Sequence, residues 1–252
     1  MAFLLSDVAD GVATLTINDP DKRNAINLAM NDEIVDTMEA LENSGNVNAV
    51  VVTGAAPAFC AGADLGDLLD ARDRGNIHEI YRGFLRIAHS PIPTIAAVNG
   101  AAVGAGMNMA LACDVILAGE SARFDSRFLD IGIHPGGGHT WRLRNKTDDQ
   151  TMRAMVLFGE ILSGERAAEI GLAWRCVPDA DLLETAHTMA RRAAGFPTKL
   201  ARAAKAAMNG LASVDTSPAS VEHELGPQLA SMQSPEFTEL VTKLQSSISS
   251  KQ

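Results

Sequence analysis

The chain has 252 residues, 46% of them hydrophobic and 21% charged, and a formal net charge of -10. This is long enough for one compact globular domain with a large core and a small appendage. The acidic balance and the lack of any Lys/Arg-rich run exclude a nucleic-acid partner on electrostatic grounds. An anionic cofactor would need a local cluster of donors. The three cysteines, Cys60, Cys113 and Cys176, are widely spaced in apolar settings, which speaks for a reducing compartment and against a disulfide framework. No pair has metal-ligand spacing, so no metal is expected. No stretch reaches the roughly 18 apolar residues of a membrane span, and the N-terminus lacks a basic region leading into an apolar run. The expectation is a soluble, cytoplasmic protein.

In chain order, Val12–Ile17 reads as a strand that ends in the turn residues Asn18-Asp19-Pro20-Asp21. A helix follows near Asn27, with Met30, Ile34, Val35, Met38 and Leu41 on one face. Ala49–Gly54 is a short, continuous apolar run of the kind a buried strand shows. Ile92–Val98 and Asp114–Ala118 are further strand candidates, with helices over Asp67–His89 and Met107–Cys113 between them. Strands alternating with helices predict an α/β fold. Beyond about Asp148 the pattern turns helical, over Met152–Phe158, Arg166–Gly171, Leu182–Ala194, Lys199–Asn209 and Glu236–Leu244. Ser234-Pro235 opens the last of these with a capping residue and a first-turn proline.

Two glycine-containing segments follow buried strands: Ala58-Phe59-Cys60-Ala61-Gly62-Ala63-Asp64 and Asn99-Gly100-Ala101-Ala102-Val103-Gly104-Ala105-Gly106-Met107. Small residues let a ligand approach the backbone, and a loop entering a helix leaves amide N–H groups without helical partners. Two such loops can aim two N–H groups at one developing oxyanion. Either loop alone reads equally as a tight strand-to-helix turn.

Together with Asp21-Lys22-Arg23-Asn24-Ala25 upstream, these segments fall in the order of motifs shared by the enoyl-CoA hydratase/isomerase (crotonase) family, which the chain resembles over nearly its whole length. Downstream, Ala110–Asp114, Ala122-Arg123-Phe124, Gly132–Gly138 and Ser163–Leu172 continue the resemblance. The resemblance implies an α/β crotonase-like (ClpP/crotonase) spiral of ββα units over residues 1–195. It further implies a helical C-terminal trimerisation region over 196–252, giving a homotrimer or hexamer. It implies that the amides of Ala63 and Ala105 form the oxyanion hole, with Ala105 standing where glycine is usual. Lys22, Arg23 and Ala25 would lie along the CoA moiety, and Ala61, Asp64 and Leu65 near its adenine. No tightly bound cofactor is implied; coenzyme A enters as part of the thioester substrate.

Family hydratases use two glutamates as acid and base. Residue by residue, those positions fall on Asn108 and Phe128 here, while Gly136 holds the position that contacts water. Asn can orient a water and Phe can only fill space; neither exchanges protons near neutral pH. Substitutes are sought nearby. His134 precedes the Pro135-Gly136 loop and is the first candidate, Asp130 the second; each also reads as an ordinary loop or turn residue. Asp125 reads as a turn cap, His139 and Trp141 as packing or interface residues, Cys60 and Cys113 as small buried hydrophobes, and Asp64 as a helix cap. His78, His89, His187 and His223 read as partnerless helical residues. The expected function is therefore acyl-CoA thioester binding with the carbonyl-activating half of the site kept and the usual acid/base half replaced. The protein is then an enzyme with unconventional proton transfer, one that decarboxylates a malonyl-type thioester, or a catalytically silent acyl-CoA-binding protein.

Overall fold

A computed structural model describes residues 2–249. They fall into two compact units, divided between Ala194 and Gly195. In the first, β1 (Leu4–Ala9) and β2 (Val12–Ile17) form an antiparallel hairpin with Ala9 opposite Val12. The two-residue turn Asp10-Gly11 has positive φ at both positions, 52° and 75°, which is the geometry that favours Asp-Gly between strands. Helix α1 (Leu28–Ser44) is capped by Asn27, whose side chain accepts from the Met30 amide. It buries Met30, Ile34, Met38 and Leu41, spaced three and four apart, while Val35 is half-buried at the stripe's edge.

The chain then repeats one move. A long strand joins a large sheet, a short strand turns off into a second sheet, and helix follows. The first turn is β3 (Ala49–Gly54), β4 (Ala58–Cys60), α2 (Leu65–Arg74) and α3 (His78–Ala88). The second is β5 (Thr94–Val98), β6 (Ala101–Val103) and α4 (Ala105–Ala112). The third is β7 (Val115–Gly119), β8 (Arg123–Asp125), α5 (His139–Lys146) and α6 (Asp149–Leu157). β3, β5 and β7 pair in parallel, and so do β4, β6 and β8. Successive turns therefore stack as a spiral of ββα units. β9 (Leu162–Ser163), α7 (Gly164–Glu169), β10 (Arg175–Val177) and α8 (Leu182–Ala194) complete this unit.

The large sheet is covered on both faces. Val50, Val52, Ala96 and Val98 face the main core. Val51, Ala97 and Leu117 face a second cluster closed by Leu182, Ala186 and Ala190 of α8. A parallel strand buried on both faces has no polar alternation, which is why Ala49–Val52 is apolar throughout.

The single helix expected over Asp67–His89 is two. Gly75 caps α2, its N–H donating to the Ala71 and Arg72 carbonyls, and the chain restarts at His78. The second unit holds α9 (Thr198–Gly210), α10 (Ser217–Met232) and α11 (Pro235–Ser249). Ser234 caps α11, its hydroxyl accepting from the Phe237 amide at 3.1 Å. Leu225, Leu229 and Met232 of α10 and Phe237, Leu240 and Leu244 of α11 are exposed. Residues 250–252, the end of the expected C-terminal region, lie outside the described residues. Among the described residues no helix is long and apolar enough to cross a membrane.

Candidate active site

Because β4 and β6 pair in parallel, the loops that follow them leave the small sheet side by side. Gly106, in the first turn of α4, packs on the Cys60 backbone so closely that any Cβ would collide with the Cys60 carbonyl. Glycine there lets the start of α4 lie against the end of β4. Ile26 clamps the other loop: its N–H donates to the Gly62 carbonyl and its own carbonyl accepts from Asp64, both at 2.8 Å. These bonds flank Ala63 and leave the Ala63 N–H outside the bridge. Ala105 is the first residue of α4, so its N–H has no helical acceptor, and its cap Gly104 offers no side chain. Among the described residues neither amide donates a backbone hydrogen bond. Ala105 adopts helical geometry and is absent from the positive-φ residues, so its Cβ introduces no strain.

Both alanines line one cavity of about 560 Å³. Lys22, Ala25, Ala61, Asp64 and Leu65 border it, as do Asn108, Phe128, His134 and Gly136. Arg23 and Asp130 are exposed and do not line it. Arg23 instead serves through its backbone, its carbonyl accepting the Ala61 amide at 3.0 Å. Asp130 sits in a one-turn helix over Leu129–Ile131, with its neighbours Phe128 and Ile131 in the cavity wall. His134 reaches the wall, but its Nδ1 bonds to the Pro135 carbonyl at 2.7 Å and the side chain faces solvent. Leu68, Ile77, Ile80 and Tyr81 also border the cavity, whereas Leu69 is exposed and Phe84 is fully buried in the core.

Asp64 caps α2, its carboxylate accepting from the Gly66 and Asp67 amides, and it pairs with the Lys22 ammonium at 3.0 Å. The hydrogen bond from Lys22 holds the Asp64 carboxyl below the usual carboxylate range, and the same bond raises the Lys22 ammonium. Burial pushes the Cys60 thiol up to about 12, so it is no nucleophile. Asp125, rather than capping a turn with its carboxylate, is buried and pairs with the exposed Arg127 guanidinium at 2.6 Å. Two histidines read as partnerless have partners: His187 Nε2 meets the Thr14 hydroxyl at 2.9 Å, and His223 Nε2 donates to the Ala207 carbonyl at 2.8 Å. Among the described residues no group of three or more His, Cys, Asp or Glu side chains is placed to hold a metal.

The sequence gives no sign of the most distinctive polar feature. Asn108 Nδ2 donates to the Gly136 carbonyl at 3.1 Å, and Asn108 Oδ1 meets His139 Nδ1 at 2.9 Å. His139 Nε2 meets the Ser126 hydroxyl at 2.8 Å. All three side chains are at most 2% exposed. The Phe128 ring stands edge-on to the His139 imidazole, with 4.8 Å between centroids. His139 is thus more than a packing residue, and Ser126 belongs to the cavity wall. Asn108 and His139 are 31 residues apart, and only the spiral brings them together.

Burial, reinforced by the nearby Arg142 guanidinium, lowers the His139 pKa from 6.5 to about 4. The neutral ring is the folded form. Unfolding frees an imidazole that takes up a proton at pH below 6.5, so stability present at neutral pH is lost as pH falls toward 4. By pH 4 the loss from this group is about 3 kcal/mol. Urea unfolding at pH 7 and pH 4 checks it: the wild type should lose that much more between the two pH values than His139→Gln. Equal losses would show that His139 is not a buried neutral group.

The family model for enoyl-CoA hydratase/isomerase matches residues 7–243. A protein of Mycobacterium tuberculosis named a probable enoyl-CoA hydratase is 43% identical over 246 residues, covering 93% of this chain and 94% of that one. The Escherichia coli 1,2-epoxyphenylacetyl-CoA isomerase is 38% identical over 205 residues, 79% of this chain and 78% of its own. Among solved structures, an enoyl-CoA hydratase from Bacillus anthracis superposes with a TM-score of 0.91 at 28% identity, covering 97% of this chain and 96% of that one. Two loops ending in unpartnered amides over one cavity, on a ββα spiral, are thus found in a chain that belongs to the enoyl-CoA hydratase/isomerase family.

Proposed function

We propose that this cavity seats an acyl-CoA thioester with its carbonyl oxygen on the Ala63 and Ala105 amides, and that the protein acts on the activated acyl group by chemistry other than simple hydration. The observation that carries the reading is the pair of amide donors without acceptors at the mouths of two adjacent loops, both in the wall of one cavity. Donors fixed in this way stabilise charge that develops on the oxygen without reorganising during the reaction. Lys22 and Ala25 take the CoA side of the cavity and Ala61, Asp64 and Leu65 its adenine end, with Arg23 contributing backbone alone. Coenzyme A enters with the substrate and no other cofactor is required. The working assembly is a homotrimer or hexamer in the cytoplasm.

Asn108 and Phe128 support two versions of this reading. In one, an unconventional group moves the proton, or the reaction needs little acid/base help, as in decarboxylation. In the other, the protein binds acyl-CoA without turnover. Calorimetry with crotonyl-, acetoacetyl-, phenylacetyl- and a long-chain acyl-CoA should show a saturable site for at least one. Failure of all four to bind at millimolar concentration would overturn the proposal. Mass spectrometry of the same mixtures separates the versions, since only an enzyme changes the thioester.

A further inference from the structure

We propose that Ser126 is a nucleophile that accepts the acyl group, and that the protein hydrolyses acyl-CoA thioesters through a Ser126–His139–Asn108 hydrogen-bond chain. The inference rests on the thioester seating described above and adds an activity to it. Three bonds fix the direction of every proton in the chain. The Gly136 carbonyl can only accept, so Asn108 must turn its amide nitrogen toward it. Asn108 Oδ1 then faces His139 Nδ1 and can only accept, so Nδ1 carries the ring proton. The neutral ring leaves its lone pair on Nε2, and the Ser126 hydroxyl 2.8 Å away must donate to it. A hydroxyl donating to an imidazole whose far nitrogen is held by a third side chain is the arrangement that activates serine toward acyl carbons, recognised by geometry rather than by position in the chain.

The placement fits acyl transfer. Ser126 follows the last residue of β8, which pairs with β6 so that Asp125 lies opposite Val103. The Gly104 amide donates to the Asp125 carbonyl at 2.9 Å. Ser126 is therefore beside Gly104, the residue that precedes the Ala105 amide, and all three line the cavity. Arg127, the next residue, has φ 44°, a left-handed conformation unusual outside glycine, and its ion pair with buried Asp125 holds it. Backbone strain of this kind gathers at functional sites.

In the first step Ser126 Oγ bonds to the thioester carbon while its proton passes to His139 Nε2, and the carbonyl oxygen's charge falls on the Ala63 and Ala105 amides. The C–S bond then breaks, and the leaving sulfur takes the proton from His139 to give the CoA thiol. A water next attacks the Ser126 ester, giving a proton to His139, which returns it to Ser126 Oγ as the carboxylic acid departs. The net reaction is acyl-CoA plus water to carboxylic acid plus CoA. Asn108 is a positioning residue here. It carries no charge to stabilise the imidazolium, and Arg142 opposes it, so both steps are slow and are best read with stoichiometric enzyme.

The test mixes the full-length protein with each acyl-CoA that binds in calorimetry and follows free thiol, together with the mass of the protein. The expected result is thiol release accompanied by an acyl adduct on the tryptic peptide Phe124–Arg127, whose one hydroxyl is that of Ser126. Ser126→Ala should lose adduct and thiol release while still binding a thioether analogue of CoA, which cannot be hydrolysed. Ser126→Cys, nearly isosteric, should hold the adduct at the same peptide, which guards against loss through misfolding. Thiol release that persists in Ser126→Ala, or binding without any release in the wild type, overturns the nucleophile. Exchange of α-deuterium lost in Ser126→Ala without thiol release would also overturn it, by making Ser126 a proton relay. Failure of the thioether analogue to bind the wild type would instead sink the seating of the thioester.

Discussion

Crotonyl-CoA hydration by this protein is expected to run about 10²–10⁴-fold slower than by a family hydratase that carries both glutamates, assayed side by side. Adding water to the enoyl thioester needs a base for the water and an acid for the α-carbon. The two positions that the family resemblance gives to these groups hold Asn108 and Phe128. Asn108 is also already committed, with one N–H on the Gly136 carbonyl and its oxygen on His139 Nδ1. Phe128 presents its ring to His139 and offers no proton. His139 stays neutral at working pH and points its basic nitrogen at Ser126, away from Asn108. The measurement is loss of the enoyl absorbance at matched enzyme concentration. A rate equal to the family hydratase would show that another group supplies acid and base, and His134→Ala would be the next variant to assay.

The two small-residue segments after apolar strands were legible in the sequence, but the residues alone read equally as tight turns. It was the family resemblance that singled out Ala63 and Ala105, which the structure places in the wall of one cavity. The Asp64 cap was also legible, because capping is a local matter of side chain and following amides. What depends on side chains meeting across turns of the spiral was not. His139 follows three glycines and reads as packing, and Ser126 carries no motif; their bond exists because β8 and α5 belong to the same turn and α4 lies beside them. The Asp10-Gly11 hairpin is a different case. Its turn signal was present, but Leu4–Ala9 is mostly exposed, so the strand lacks the apolar run that a buried strand shows.

Ala105→Pro tests the oxyanion hole with the least disturbance of the fold. Proline is favoured at the first position of a helix, where its fixed φ suits the helix and the missing N–H has no partner to lose. Ala105 occupies that position in α4, and its amide bonds to nothing in the helix. Substitution there should leave the thermal midpoint near that of the wild type, whereas an interior proline would cost roughly 3 kcal/mol. Chemistry should respond differently. Removing one of two oxyanion donors typically lowers kcat by about 10²–10³. Turnover of the best acyl-CoA substrate should fall by that factor. Binding of a thioether analogue, which has no carbonyl oxygen for the amide to hold, should stay within about threefold of the wild type, which is about 0.65 kcal/mol. Turnover that survives with the midpoint intact would mean that the Ala105 amide does not meet the developing charge, and the oxygen would have to be placed elsewhere in the cavity.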